Sequence, residues 1–259
     1  MSSIITRLVS VPATINVGVS SAKQSTMLGL LGNPRNDYDQ ICREVTNPTL
    51  KANIEVTNVG PFRVQGLKPA AASLREILAE IAVTHPDVHA ELGSAGMVCA
   101  RLVRGATKAI SNHSWGTAID LTLDGVLDVR GDDLVQEGLT RIAPIFNRRG
   151  WFWGAGFSTE DAMHFEAGDE LIRKWHASGV LGGTPTSPTA PAPEALLTIG
   201  DRGPDVLALQ KRLNALGAHL REDGEFGTGT HAAVIAFQGA RGLRADGAVG
   251  AATRKALGL

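Results

Sequence analysis

From Gly182 to Pro193 the chain reads Gly-Gly-Thr-Pro-Thr-Ser-Pro-Thr-Ala-Pro-Ala-Pro, with no charge and no large apolar side chain. Proline at 185, 188, 191 and 193 removes backbone donors and fixes φ. Such a stretch cannot build a helix interior or a central strand, and reads as a semi-extended linker. The chain is therefore expected to fold as two bodies, residues 1–181 and 196–259, joined by 182–195. The length is enough for each body to bury a core of its own.

Composition excludes several classes. With 43% hydrophobic and 20% charged residues the chain is neither disordered nor membrane-embedded. No run approaches the ~18 apolar residues of a spanning helix. A formal net charge of −1 argues against nucleic acid and anionic lipid as partners, because few phosphates could be neutralised. The N-terminal segment has one early cation, Arg7, but Pro12, Asn16 and Gly18 break its apolar stretch, so it does not read as a secretory signal. Synthesis in the cytoplasm and action elsewhere after release are expected, as is a monomer. Cys42 and Cys99 are too few for a disulfide framework and read as two buried free thiols, with a single bridge between them as the alternative.

The second body contains an echo: Asp223-Gly224-Glu225-Phe226-Gly227-Thr228-Gly229-Thr230 recurs as Asp246-Gly247-Ala248-Val249-Gly250-Ala251-Ala252-Thr253, giving D-G-x-x-G-x-x-T twice. Each copy reads as an Asp-Gly turn followed by a Thr placed to cap a helix. Before the first copy, Val206, Leu209, Leu213 and Leu216 recur on one helical face. Three short helices are predicted, an all-α unit.

The first body is α+β. Pro69–Val83 is an amphipathic helix carrying Leu74, Ile77, Leu78 and Ile81; Asp133–Arg149 is a second, which Pro144 should kink or divide. Strand-like pieces fall at Asn53–Val59, Val98–Val103, Ala118–Leu123 and Met163–Glu166, predicting helices on a small, mostly antiparallel sheet.

Alternation within two of those strands carries the chemistry. In Ala118–Thr122, Ile119 and Leu121 face the core and Asp120 the other side; in Met163–Glu166, His164 and Glu166 share a face opposite Met163 and Phe165. A carboxylate mid-strand needs water, a cation or a metal. With His113 seven positions before Asp120, two histidines and a carboxylate could form a three-ligand zinc site that leaves a fourth position open. Of the other histidines, His85 and His89 flank a Thr-His-Pro-Asp turn and read as loop, and His176, His219 and His231 as surface. Aromatics are scarce, at 5%, yet Trp151, Phe152, Trp153, Phe157 and Phe165 crowd into one stretch ending beside His164. That stretch reads as core under the site, with a Trp lining a cleft as the alternative.

Two motifs resemble known families. Ser111-Asn112-His113-Ser114-Trp115-Gly116-Thr117-Ala118-Ile119-Asp120 is an intact S-x-H-x-x-G-x-A-x-D. With Asp161-Ala162-Met163-His164 downstream, it is similar to the M15 zinc peptidases of the D-alanyl-D-alanine carboxypeptidase type, which include phage endolysins cleaving L-alanyl–D-glutamate bonds. The resemblance implies one zinc ion held by His113, Asp120 and His164, a catalytic carboxylate at Asp161, and an arginine assisting the carbonyl, matched by Arg101 with Arg104 as the fallback. Ser111, Glu166, Trp115 and Trp153 are candidates for positioning the site or meeting substrate. Leu197–Gly203, Leu209-Gln210, Leu213-Asn214, the D-G-x-x-G-x-x-T echo and Phe237-Gln238 resemble a three-helix peptidoglycan-binding domain, which implies the bacterial wall as partner. The expected function is zinc-dependent hydrolysis of a peptidoglycan stem peptide, as an L-alanyl–D-glutamate endopeptidase of endolysin type. The alternatives are a D-alanyl-D-alanine carboxypeptidase and a non-catalytic wall-binding protein with a structural zinc.

Overall fold

A computed structural model describes residues 4–181 and 197–259. The linker expected at 182–195 lies outside the described residues. Contacts divide the chain into two compact units, one on either side of that stretch.

The first unit is α+β. Its elements in order are β1 (Leu8–Ser10), α1 (Gln24–Leu31), α2 (Pro48–Ala52), β2 (Ile54–Asn58), β3 (Arg63–Leu67), α3 (Lys68–Thr84), α4 (Pro86–Ala90), β4 (Leu92–Gly96), β5 (Ala118–Leu123), β6 (Leu134–Gln136), α5 (Glu137–Arg148), β7 (Trp151–Trp153), β8 (His164–Ala167) and α6 (Asp169–Ala177). The central sheet is antiparallel in the order β4-β5-β8-β7, with β2-β3 and β1-β6 as separate two-stranded pairs. The α3 stripe of Leu74, Ile77, Leu78 and Ile81 is wholly buried, each side chain contributing roughly 1.5–3 kcal/mol of burial. Phe146 of α5 packs on both Trp151 and Phe165, so the aromatic stretch is the floor of the sheet.

Four local expectations need correction. Residues 98–103 form no strand: Cys99 N–H bonds His113, Ala100 pairs with Arg43, and Leu102 N–H bonds Asp39. With its bonds scattered among separate partners the segment has no continuous ladder, and β4 takes the sheet edge instead. The Ala100–Arg43 bridge, two bonds of 3.1 Å, also brings the preceding cysteines together: Cys42 and Cys99 are joined as a disulfide, with Cα atoms 5.0 Å apart, rather than free. The second predicted helix begins at Glu137, because 134–136 pair with β1, and it runs unbroken through Pro144. Pro144 lies on the exposed face, where the Thr140 carbonyl it leaves unbonded meets solvent. His85 and His89 belong to the cap and last turn of α4 rather than to a loop.

The second unit holds α7 (Pro204–Ala215), α8 (Thr228–Ala240) and α9 (Ala251–Leu257) around Leu197, Val206, Leu209, Phe226, Val234 and Val249. The sequence echo is a repeated hydrogen-bond knot. Gln210 Nε2 donates to Asp223 Oδ1 (2.9 Å), the Glu225 carbonyl (2.9 Å) and Thr230 Oγ1 (3.2 Å), while its Oε1 accepts from Gly224 N (2.8 Å). Gln238 does the same with Asp246, Ala248, Thr253 and Gly247. Thr230 and Thr253 therefore tie the knots from within their helices, while Gly227 and Gly250 hold the cap positions.

Candidate metal centre

Strands β5 and β8 are neighbours, and their register sets Asp120 directly opposite His164. His113 arrives from a 3-10 turn, Asn112–Trp115, that ends at Gly116 with φ of 69°. A Cβ on Gly116 would stand 2.8 Å from Leu67 N and 2.9 Å from Val98 Cγ2, so only glycine lets the turn dock and pass into β5.

Three ligand atoms converge there. His113 Nε2 lies 3.1 Å from Asp120 Oδ1 and 3.2 Å from His164 Nδ1, and His164 Nδ1 lies 3.2 Å from Asp120 Oδ1. Three ligands around a tetrahedral ion at ~2.0–2.1 Å stand about 3.3 Å apart, close to this triangle. The outer nitrogens fix the tautomers. His113 Nδ1 meets the Met97 carbonyl at 2.9 Å, which can only accept, so that nitrogen bears the proton and Nε2 presents a lone pair. His164 Nε2 meets Glu166 Oε2 at 2.9 Å, leaving Nδ1 for the triangle. Once His164 Nδ1 gives up its proton, two lone pairs and a carboxylate oxygen face one point, an arrangement that draws in positive charge. Burial pulls the Asp120 carboxyl upward, but His113 and His164 outweigh it and hold the group far below the usual range. Burial opposes a charged His164, yet its bonds to Asp120 and Glu166 push its pKa up to about 10. The donor set therefore fits a divalent metal.

Glu166 supports the triad from beneath. It is 2% exposed and accepts from Ser21 Oγ (2.7 Å), Ala22 N (3.0 Å) and Asn112 Nδ2 (2.9 Å) besides His164. Against the upward pull of burial, His164, Ser21 and Asn112 keep its carboxyl below its ordinary value. Ser21 and Ala22 come from the segment just before α1, far from the triad in sequence.

Asp161 opens a tight turn in which its carbonyl accepts from His164 N (3.0 Å) and its own N–H bonds Gly154 (3.1 Å). Glycine is needed at 154: a Cβ would reach 2.5 Å from the Asp161 carbonyl and 3.0 Å from His164 Cβ. The Asp161 side chain lines the same cavity of about 380 Å³ as His113, Asp120 and His164. Burial raises its pKa, while His164 and Arg130 hold it down. Arg130 Nε stands 3.2 Å from Asp161 Oδ2. That arginine, on the loop after β5, was not singled out from sequence; it belongs to no motif and reaches the site only because the loop folds back.

The remaining sequence candidates divide. Arg101 lines the cavity with Arg104, and its backbone is pinned to the His113 turn through Ser114 Oγ and Ser111 N. Burial and Arg104 pull the Arg101 guanidinium below its ordinary value, partly countered by Asp120 and Asp161. Ser111 is buried at the cavity wall. Trp115 and Trp153 are fully buried and cannot meet substrate. Their indole N–H groups bond the carbonyls of Gly32 (2.8 Å) and Ala162 (2.7 Å), so Trp153 braces the Asp161–His164 turn from the core side.

Comparison with known families agrees with this geometry. Residues 104–167 match the family described as D-alanyl-D-alanine carboxypeptidase, of the M15 peptidases, a span that contains all three triad residues and Asp161. Residues 202–257 match the peptidoglycan binding domain family and contain both glutamine knots. Along the chain, a segment similar to the M15 peptidases is thus followed by one similar to the peptidoglycan-binding domains. Among solved structures, a Burkholderia AP3 phage endolysin is 48% identical over 24% of this chain and 24% of its own, with a TM-score of 0.24. A Clostridioides difficile peptidoglycan-binding protein in complex with glutamine hydroxamate is 41% identical over 24% of this chain and 40% of its own, with a TM-score of 0.24. The SleB N-terminal domain is 39% identical over 26% of this chain and 93% of its own, with a TM-score of 0.25. The chain thus spans about a quarter of the endolysin's length. A comparison with curated proteins returns no match. Among the described residues, no helix is long and apolar enough to cross a membrane.

Proposed function

We propose that this chain is a zinc-dependent peptidoglycan peptidase, acting as an L-alanyl–D-glutamate endopeptidase of the endolysin type. The observation that carries the reading is the three-donor triangle of His113, Asp120 and His164 opening onto a cavity that also holds Asp161. Structural zinc sites close with four protein ligands; three donors at a cavity leave a position for chemistry. This disfavours a non-catalytic protein with a merely structural zinc.

Zinc held by this triad supplies Lewis-acid chemistry, acidifying a water and polarising a carbonyl oxygen. Asp161, free on the cavity side and tied to Arg130, takes the proton of the attacking water and returns it to the leaving amine as the carbon–nitrogen bond breaks. Arg101 presents a fixed positive charge to the oxygen on which negative charge develops, a contact of the kind whose removal costs about 3 kcal/mol. Glu166 and the Met97 carbonyl hold the imidazoles in the ligating tautomers. The second unit keeps the peptidase on its polymer, raising the local concentration of cleavable bonds without new chemistry. A wall tether suits an enzyme that cuts a network more than one that trims free termini.

The family match at 104–167 favours a second reading, D-alanyl-D-alanine carboxypeptidase. Mass spectrometry of purified peptidoglycan digested by the zinc-loaded chain separates the two. A new N-terminal glutamate on the stem peptide is expected; released D-alanine would move the assignment to the carboxypeptidase. Absence of any cleavage that a chelator stops would sink the enzyme reading altogether.

A further inference from the structure

A second group of carboxylates lies beside the triad and is not used by it. The loop between β5 and β6 folds back on the turn that precedes β8. Glu160 holds it there, with Oε2 accepting from Gly131 N (3.0 Å) and Oε1 from Ala162 N (2.5 Å). At the base of the loop Asp128 Oδ2 accepts from Gln136 N (2.6 Å). Asp128 and Glu160 are 3% and 4% exposed, and Asp132 closes the group from the solvent side. One oxygen from each of the three lies within 4.8 Å of the others.

Two buried oxygens on this pair of neighbours have no hydrogen-bond partner, Asp128 Oδ1 and Gln136 Oε1. A buried anionic oxygen without a donor is costly. Burial, with Glu160 and Asp132, pushes Asp128 up to about 6, and the charges acting most strongly on Glu160 are likewise carboxylates, Asp132 and Asp161. Arg130, though it lies between Asp128 and Asp132 in sequence, sends its guanidinium to Asp161 and leaves the group uncompensated.

We propose that Asp128, Asp132 and Glu160 form a second cation site, for a hard divalent ion of the calcium class, which clamps the Arg130 loop to the Asp161 turn. The donors are all oxygen, which selects calcium-type ions over zinc. Their spread is no wider than two Ca–O bonds of ~2.4 Å laid end to end, and calcium tolerates the irregular coordination that a loop and waters complete. The ion supplies the partner that Asp128 Oδ1 lacks and neutralises the charge that the loop otherwise buries. Its consequence for catalysis rests on Asp161 as the base; its binding does not.

The test is a calorimetric titration of the zinc-loaded full chain with calcium chloride, with thermal unfolding and amide hydrogen exchange in parallel. One calcium per chain is expected beyond the zinc, together with a rise of several degrees in the unfolding temperature of the first unit and slowed exchange in 124–133 and 158–162. Asp132→Asn, exposed and therefore harmless to folding, should weaken calcium binding at least tenfold and remove both effects; Asp128→Asn should do the same. No saturable heat in the unaltered chain, undiminished affinity in both variants, or exchange unchanged in the two segments would each overturn the proposal. None of these readouts uses peptide cleavage, so they stand apart from the peptidase reading.

Discussion

Asp161→Asn should lower peptidoglycan hydrolysis by roughly 10²–10⁴-fold, the range for loss of a positioned general base, while zinc content and wall binding stay unchanged. The separation follows from where Asp161 sits. Its side chain lines the cavity but lies outside the ligand triangle, and its backbone bonds to Gly154 and His164, which hold the turn, survive the substitution. Metal analysis and sedimentation with insoluble peptidoglycan, run beside the activity assay, provide the check. Zinc lost together with activity would make Asp161 a ligand rather than a base. Arg130→Gln gives a companion result with a definite sign. The guanidinium favours the ionised carboxylate, so its removal raises the Asp161 pKa, and the acid limb of the pH–rate profile should move to higher pH. An acid limb that moves down or stays fixed would separate Arg130 from the base.

How much of this was readable beforehand depended on whether the signal was local. α3 was legible because its apolar side chains recur at helical spacing, and β5 and β8 because alternation puts Asp120 and His164 opposite apolar neighbours. The same alternation allowed the triangle, but the S-x-H-x-x-G-x-A-x-D resemblance singled it out, because His113 comes from a turn and not from either strand. β4, Leu-Gly-Ser-Ala-Gly, has no β-branched residue and no alternation; it is a strand only because β5 offers it an edge. Residues 98–103 show the converse, strand-like side chains whose backbone bonds are claimed by several separate partners. The Cys42–Cys99 bond, the Arg130–Asp161 pair and the Glu160 clamp all depend on loops returning across the fold, and no spacing within one segment encodes them. Trp153 follows the reading of its stretch as core rather than the cleft-wall alternative: it is fully buried, and its indole braces the Asp161 turn.

Glu166→Ala should be the most damaging change outside the metal ligands and Asp161, acting on stability and on metal affinity together. The carboxylate, itself buried, is the common acceptor for Ser21 Oγ, Ala22 N, Asn112 Nδ2 and His164 Nε2. Removing it leaves those donors without a partner and takes a buried negative charge from beside His164, a loss of about 3–5 kcal/mol. At roughly 2–4 °C per kcal/mol for a domain of this size, unfolding of the first unit should fall by about 10 °C, with the second unit unmoved. Zinc affinity should drop by roughly 10–100-fold, because His164 loses the group that fixes its tautomer and aims Nδ1 at the metal. Glu166→Gln separates the two effects. Its amide oxygen can keep Ser21 and Ala22, but its NH2 faces the Asn112 and His164 donors, so most of the stability should return while zinc affinity stays reduced. Calorimetric unfolding and a competitive zinc titration of both variants make the comparison. Equal recovery of both properties in Glu166→Gln would show that Glu166 packs the core without orienting His164.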